Sequence, residues 1–241
     1  GLSYEISLLL KSNALLNKQI QPATNNQLHI VTRVSLNTYF ETEQGPRGFE
    51  YALLKQFADS IDKELVIHTA DSLGELFNLV ENDHVDFASA GLTPTPDRKR
   101  QYLFSNPYLL DRSIVVYKVG NKRPRSYEDL KNKDIVVVAN SSHSTMLNQV
   151  KAEGTEIAWR ELENVNFQEL LKWVEDGVVD YTVIDESEFA LHQGAFPSLK
   201  KSLNLGEKQP VGWVFSKNKK GKALRKQANQ FIDSIQTNGS L

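Results

Sequence analysis

The segment ELFNLVENDHVDF, Glu75 to Phe87, returns as ELLKWVEDGVVDY, Glu169 to Tyr181, at an offset of 94 with identity at six of thirteen positions. A chain with this repeat is confined to folds made of two similar halves. In each copy apolar residues stand at i, i+1 and i+4: Leu76, Phe77 and Val80 in the first, Leu170, Leu171 and Val174 in the second. That spacing gives one apolar helix face. An acidic turn and a short β-rich run follow, so each copy reads as a helix that delivers the chain into a strand.

The flanking segments extend the unit. LHIVTRV reads as a first strand, FEYALLKQFADSI as a helix with Phe49, Leu53, Phe57 and Ile61 at fourfold spacing, and ELVIHTA as a strand. Ser72 with Glu75 makes a capping box for the next helix. The second half runs DIVVVAN as strand, SSHSTMLNQVKAEG as helix, EIAWREL as strand, then the matched helix and VDYTVID. Strands alternating with helices predict parallel sheets, and the apolar run Ile135 to Ala139 fits a strand covered on both faces. SIVVYKVG and QPVGWVFS read as paired crossover strands, the second leading into a final helix with Leu224, Phe231 and Ile235 on one face.

The expected architecture is therefore α/β, two lobes joined by a two-strand hinge. Residues 25–114 with 212–241 would form the first lobe and 115–211 the second, after an N-terminal extension over 1–24. Ligands of open parallel sheets sit beyond the carboxyl ends of the strands, and two facing lobes turn that place into a cleft. The offset makes Gly91 and Asp185 equivalent, each just past its strand.

Composition narrows the chemistry. With 28 basic against 30 acidic residues, no global field favours nucleic acid or an anionic membrane. The absence of cysteine removes disulfides, thiol nucleophiles and Cys-based zinc sites. The longest apolar run of the N-terminal stretch, Leu8-Leu9-Leu10, is far short of a signal core or a membrane span, so a targeting segment is either absent or removed before Gly1. The five histidines lack HxxxH or HExxH spacing, and no metal ligand set is expected. GxGxxG and GxxxxGK[ST] are missing, and no cofactor is expected. Ser89 in ASAG lacks the first glycine of a nucleophile elbow, and the adjacent Ser142 and His143 do not make a triad. The KRPR loop, Lys122 to Arg125, reads as a solvated connector, and Tyr102, Phe104, Pro107 and Tyr108 as lobe cover, not a base-stacking platform.

Binding residues are better supported than catalytic ones. Arg98 follows the strand end in DFASAGLTPTPDR, where an arginine can hold a carboxylate bidentately, with Thr93 and backbone N–H groups sharing the anion. DRKR also fits a solvated helix start capped by Asp97. Asp185 can complement an ammonium from the opposite lobe or cap the helix after it. Ser141 and Ser142 open a helix, which suits an anion site as well as plain capping. Tyr39 and Phe40, beyond the first strand, offer an aromatic wall, with core packing fitting Phe40 better.

GFEYALLKQFADSI, AGLTPTPDRKRQYLFSNPY and VDYTVIDESEF together resemble the family 3 solute-binding proteins, periplasmic amino-acid receptors of the type II periplasmic binding protein fold, over about residues 27–241. The resemblance implies that Arg98 binds a ligand α-carboxylate with help from Thr93 and Ser142, and that Asp185 binds the α-amino group. The receptors usually carry Gly-Thr where this chain has Asn140-Ser141-Ser142, and often serine at Gly91. LVIHTADSLGELFNLVENDHVDFASAGL, VYKVGNKRPRSYEDL and EKQPVGWVF are similar to the regulatory domain of the membrane-bound lytic transglycosylase F family, outer-membrane-associated enzymes of peptidoglycan. That resemblance implies a periplasmic, non-catalytic module that senses cell-wall peptides (muropeptides) and a C-terminal transglycosylase domain beyond Leu241. A free-standing amino-acid-binding protein of an ABC transporter is the alternative.

Overall fold

The computed structural model describes residues 26–238, so the expected extension over 1–24 lies outside the described residues. The first half builds β1 (Gln27–Thr32), the hairpin β2 (Phe40–Thr42) and β3 (Gly45–Arg47), α1 (Phe49–Ser60), β4 (Glu64–Thr69), α2 (Leu73–Glu81) and β5 (Phe87–Leu92). After α3 (Pro96–Gln101) and β6 (Leu103–Phe104), the long strand β7 (Leu109–Lys118) carries the chain out. The second half repeats the scheme with β8 (Ile135–Val138), α4 (Ser142–Ala152), β9 (Arg160–Leu162), α5 (Phe167–Glu175), β10 (Tyr181–Asp185) and α6 (Glu186–His192). β11 (Leu199–Phe215) returns the chain and α7 (Lys219–Thr237) closes it.

The repeat is geometric as well as textual. Helices α2 and α5 occupy residues 73–81 and 167–175, the same window shifted by 94. Ser72 caps the first by accepting from the Glu75 N–H, and Asn166 caps the second by accepting from the Glu169 N–H. Around them the parallel strands lie in the order β4-β1-β5 in one half and β9-β8-β10 in the other, second-first-third in both. Each third strand then meets an antiparallel partner, β5 with β11 and β10 with β7. β7 and β11 pair with each other along most of their length, from Leu199 opposite Lys118 to Val211 opposite Leu109. These two strands are the hinge, and the two lobes form a type II periplasmic binding protein fold.

Four expectations need correction. The α1 face is not set by Phe49, which is 38% exposed; Glu50 turns inward instead, 1% exposed beside Leu53, Leu54 and Phe57. The cap of α3 is Thr95, whose hydroxyl accepts from the Arg98 N–H at 3.4 Å, because Pro96 takes the first helical position and needs no donor partner. EIAWREL is a strand only from Arg160 to Leu162. β11 is also longer than QPVGWVFS, since it begins at Leu199 and pairs with β7 through two register shifts.

Candidate functional site

Both third strands end in the space between the lobes. Gly91, at φ 63°, sits in the left-handed region, and a Cβ built there would lie 4.0 Å from Asp185 Oδ2. The strand ends that the repeat makes equivalent therefore face each other directly. The Gly91 N–H donates to both oxygens of Glu50, at 3.0 and 2.9 Å, and the Tyr108 hydroxyl donates to the same carboxylate. Burial pushes the Glu50 carboxyl up to about 8, against the pull of the Gly91 N–H and with the help of the negative Asp185.

Arg98 reaches the cleft from the first turn of α3. Its Nη1 donates to the Thr93 carbonyl at 3.0 Å and its Nη2 to the Asn140 carbonyl of the other lobe at 2.8 Å. Its Cζ lies 5.0 Å from the Phe77 ring centroid, a cation–π contact. Burial lowers its pKa to about 10, so the guanidinium remains charged at neutral pH, and Asp185 helps to keep it so. A guanidinium has about five N–H donors, and two are occupied here, which leaves donors for a ligand. Asn140 itself adopts φ 62°, a conformation asparagine and glycine tolerate, which suits a turn where glycine commonly stands.

On the second lobe, Ser141 caps α4 by accepting from the Ser144 N–H at 3.3 Å, and Ser142 is the first helical residue. Asp185 precedes α6 without a side-chain cap bond, so its carboxylate is free of that role. Its Oδ1 stands 3.5 Å from Nε2 of the buried His143, whose Nδ1 meets Ser113 Oγ at 2.7 Å. His143 is thus a partnered interior histidine.

Gly91, Arg98, Ser141, Ser142 and Asp185 line one cavity of about 50 Å³. Thr93 lies in the wall of an adjoining chamber of about 500 Å³, which Ser142 and Asp185 also line. Tyr39 does not line either cavity; its ring packs 5.7 Å from that of Tyr51 and its hydroxyl donates to Glu41. Sequence reasoning missed Arg33 and Glu188. Arg33 lies just past the carboxyl end of β1, as Gly91 and Asp185 lie within the last two residues of β5 and β10, and its Nη2 donates to the Val165 carbonyl across the cleft at 2.5 Å. Reading LHIVTRV as strand throughout concealed it. Glu188, 2% exposed on α6, accepts from the backbone N–H groups of Leu36 at 3.2 Å and Asn37 at 3.1 Å and pairs with His192 at 2.7 Å.

Arg33, Arg98 and Glu188 therefore tie the lobes together through backbone groups. A net hydrogen bond contributes about 1 kcal/mol, so these bonds compete on the scale on which a two-state closure is balanced. Glu188→Gln keeps one acceptor for two N–H groups and is expected to weaken closure by about 1 kcal/mol. Small-angle scattering would record this as a larger radius of gyration; an unchanged radius would count against Glu188 as a lobe tie.

Residues 28–241 match the bacterial extracellular solute-binding proteins, family 3. The chain is 37% identical over 215 residues to the membrane-bound lytic murein transglycosylase F of Pseudomonas fluorescens, covering 89% of this chain and 44% of that protein. It is 38% identical over 224 residues to the protein of the same name from Ectopseudomonas mendocina, covering 92% of this chain and 45% of the relative. The chain thus spans less than half the length of these curated relatives. An ancestral arginine-binding protein bound to arginine has a similar fold, with a TM-score of 0.80, 24% identity and coverage of 89% of this chain and 94% of that one.

Proposed function

Because the chain belongs to the bacterial extracellular solute-binding proteins of family 3, we propose that it is a non-catalytic ligand-binding module of a lytic transglycosylase that senses cell-wall-derived peptides in the interlobe cleft. The observation that carries this reading is the pair of opposite charges on one cavity, Arg98 from the first lobe and Asp185 from the second. A ligand with a carboxylate and an ammonium satisfies both. Thr93, Ser141, Ser142 and Gly91 supply hydroxyls and backbone groups around them, and closure over the ligand shifts the two-lobe equilibrium that a coupled domain reads. In this reading the lobes divide near residues 114 and 211, a C-terminal transglycosylase domain holds the catalytic machinery, and the longer protein works in the periplasm at the outer membrane. No helix among the described residues is long and apolar enough to cross a membrane.

The alternative, an amino-acid receptor, draws on the fold shared with the arginine-bound ancestral protein and on the small volume around the charge pair. Calorimetric titration separates the two. Soluble peptidoglycan stem peptides are expected to release heat of binding that free protein amino acids do not match. Tight binding of one amino acid with no response to the peptides would establish the receptor reading instead.

A further inference from the structure

The chamber beside the charge pair shares Thr93, Ser142 and Asp185 with the zwitterion site on its near wall and extends well beyond what a carboxylate and an ammonium on one carbon require. It meets the smaller cavity at Asp111, Ser142 and Asp185 and extends between the Thr93–Pro96 loop, the hinge strands and α4. Its volume of about 500 Å³ is ten times the 50 Å³ beside Arg98. Small-molecule sites commonly occupy about 300–1,000 Å³, so the chamber alone is of ligand size.

Its polar lining is directional. Asn148, Gln149 and Gln209 contribute amides, which suit the N–H and C=O groups of an amide-containing arm. Arg112 contributes a cation whose ion pair with Glu186 is long. Its Nε is buried and finds no hydrogen-bond partner among the described residues, and the nearest carboxylate oxygen, of Glu186, stands at 3.7 Å. Glu186 is itself engaged by Lys201 at 2.7 Å. Asp111, the adjacent acid, is occupied by the Ser187 N–H, the Ser187 hydroxyl and the Arg112 N–H. A buried guanidinium N–H without a partner favours an incoming anion, because its desolvation is already incurred.

We propose that this chamber is an extension subsite for an amide-containing arm that ends in a carboxylate, held by Arg112, on a ligand whose zwitterionic centre sits at Arg98 and Asp185. This rests on the ligand reading given above and adds the chemistry of the ligand's far end.

Three probes test it on the intact chain by calorimetry. L-alanine, Nε-acetyl-L-lysine and Nε-succinyl-L-lysine share the zwitterionic centre and differ in the arm: none, a neutral amide arm, and an amide arm ending in a carboxylate. The succinyl probe is expected to bind at least about tenfold tighter than the acetyl probe, and Arg112→Gln, checked for folding by its melting temperature, is expected to bring the two long probes to equal affinity. Equal affinity of the two long probes for the unaltered chain, or a preference that survives in Arg112→Gln, overturns the subsite. L-alanine binding as tightly as both overturns it while leaving the zwitterion site standing. If none of the three binds, the zwitterion site falls and the subsite falls with it.

Discussion

Arg98→Ala is expected to weaken ligand binding by about 1.5 to 3 kcal/mol, roughly tenfold to somewhat over a hundredfold in Kd. Arg98 is 8% exposed, and its orientation is fixed by the Thr93 carbonyl at 3.0 Å and by the Phe77 ring. A donor held in place before the ligand arrives loses little entropy on binding, so most of the charge-assisted hydrogen bond appears as affinity. The substitution also deletes the bond to the Asn140 carbonyl, one of the ties between lobes, so part of the loss comes through closure. Lysine separates the contributions: Arg98→Lys keeps the charge but not the planar fork, and is expected to recover only part of the affinity. The readout is calorimetry with the same stem peptides on all three proteins. Undiminished affinity in Arg98→Ala would remove the residue from the site.

The lobes were legible in the sequence because their evidence is local and repeated. A helix face at i, i+1, i+4 followed by an apolar strand survives without any knowledge of long-range contacts, and α2 and α5 keep it at the same offset of 94. The strand ends followed from this, and with them Gly91, Arg98 and Asp185. What escaped depends on contacts between lobes. Most of β11 reads as polar loop, since residues 200–209 owe their extended form to pairing with β7 and not to an apolar alternation of their own. Glu188 looks like any acid on a short surface helix until Leu36 and Asn37 arrive from the other lobe with two N–H groups. Arg33 was hidden by continuing a strand pattern two residues too far. At the start of α1 Glu50 is buried and Phe49 is not, while Leu53 and Phe57 keep the expected face: hydropathy places Phe49 inward, but the N–H of Gly91 and the Tyr108 hydroxyl create a polar pocket that an acceptor fills.

The buried Glu50 yields the second large effect, a loss of stability as pH rises through neutrality. The Glu50 carboxyl titrates near 4.5 when exposed and at about 8 in the folded protein, because burial penalises its charge more than the Gly91 N–H rewards it. Between these values the folded chain holds a proton that the unfolded chain has released. Stability from this group is therefore present in full below about 4.5, falls as pH rises, and is gone above about 8. Each pKa unit corresponds to about 1.4 kcal/mol, so the total is a few kcal/mol. Asp185 and Glu188 raise the Glu50 pKa further and so widen the pH range of the effect, since each negative charge makes ionising Glu50 costlier. Urea denaturation at about pH 6 and about pH 8.5 is expected to give a lower midpoint at the higher pH for the unaltered chain. Glu50→Gln is an uncharged isostere that keeps an acceptor for the Gly91 N–H, and it is expected to resemble the unaltered chain at the lower pH and exceed it at the higher. If instead Glu50→Gln shows the same fall, the pH dependence originates elsewhere, and the acid beneath Gly91 is ionised throughout.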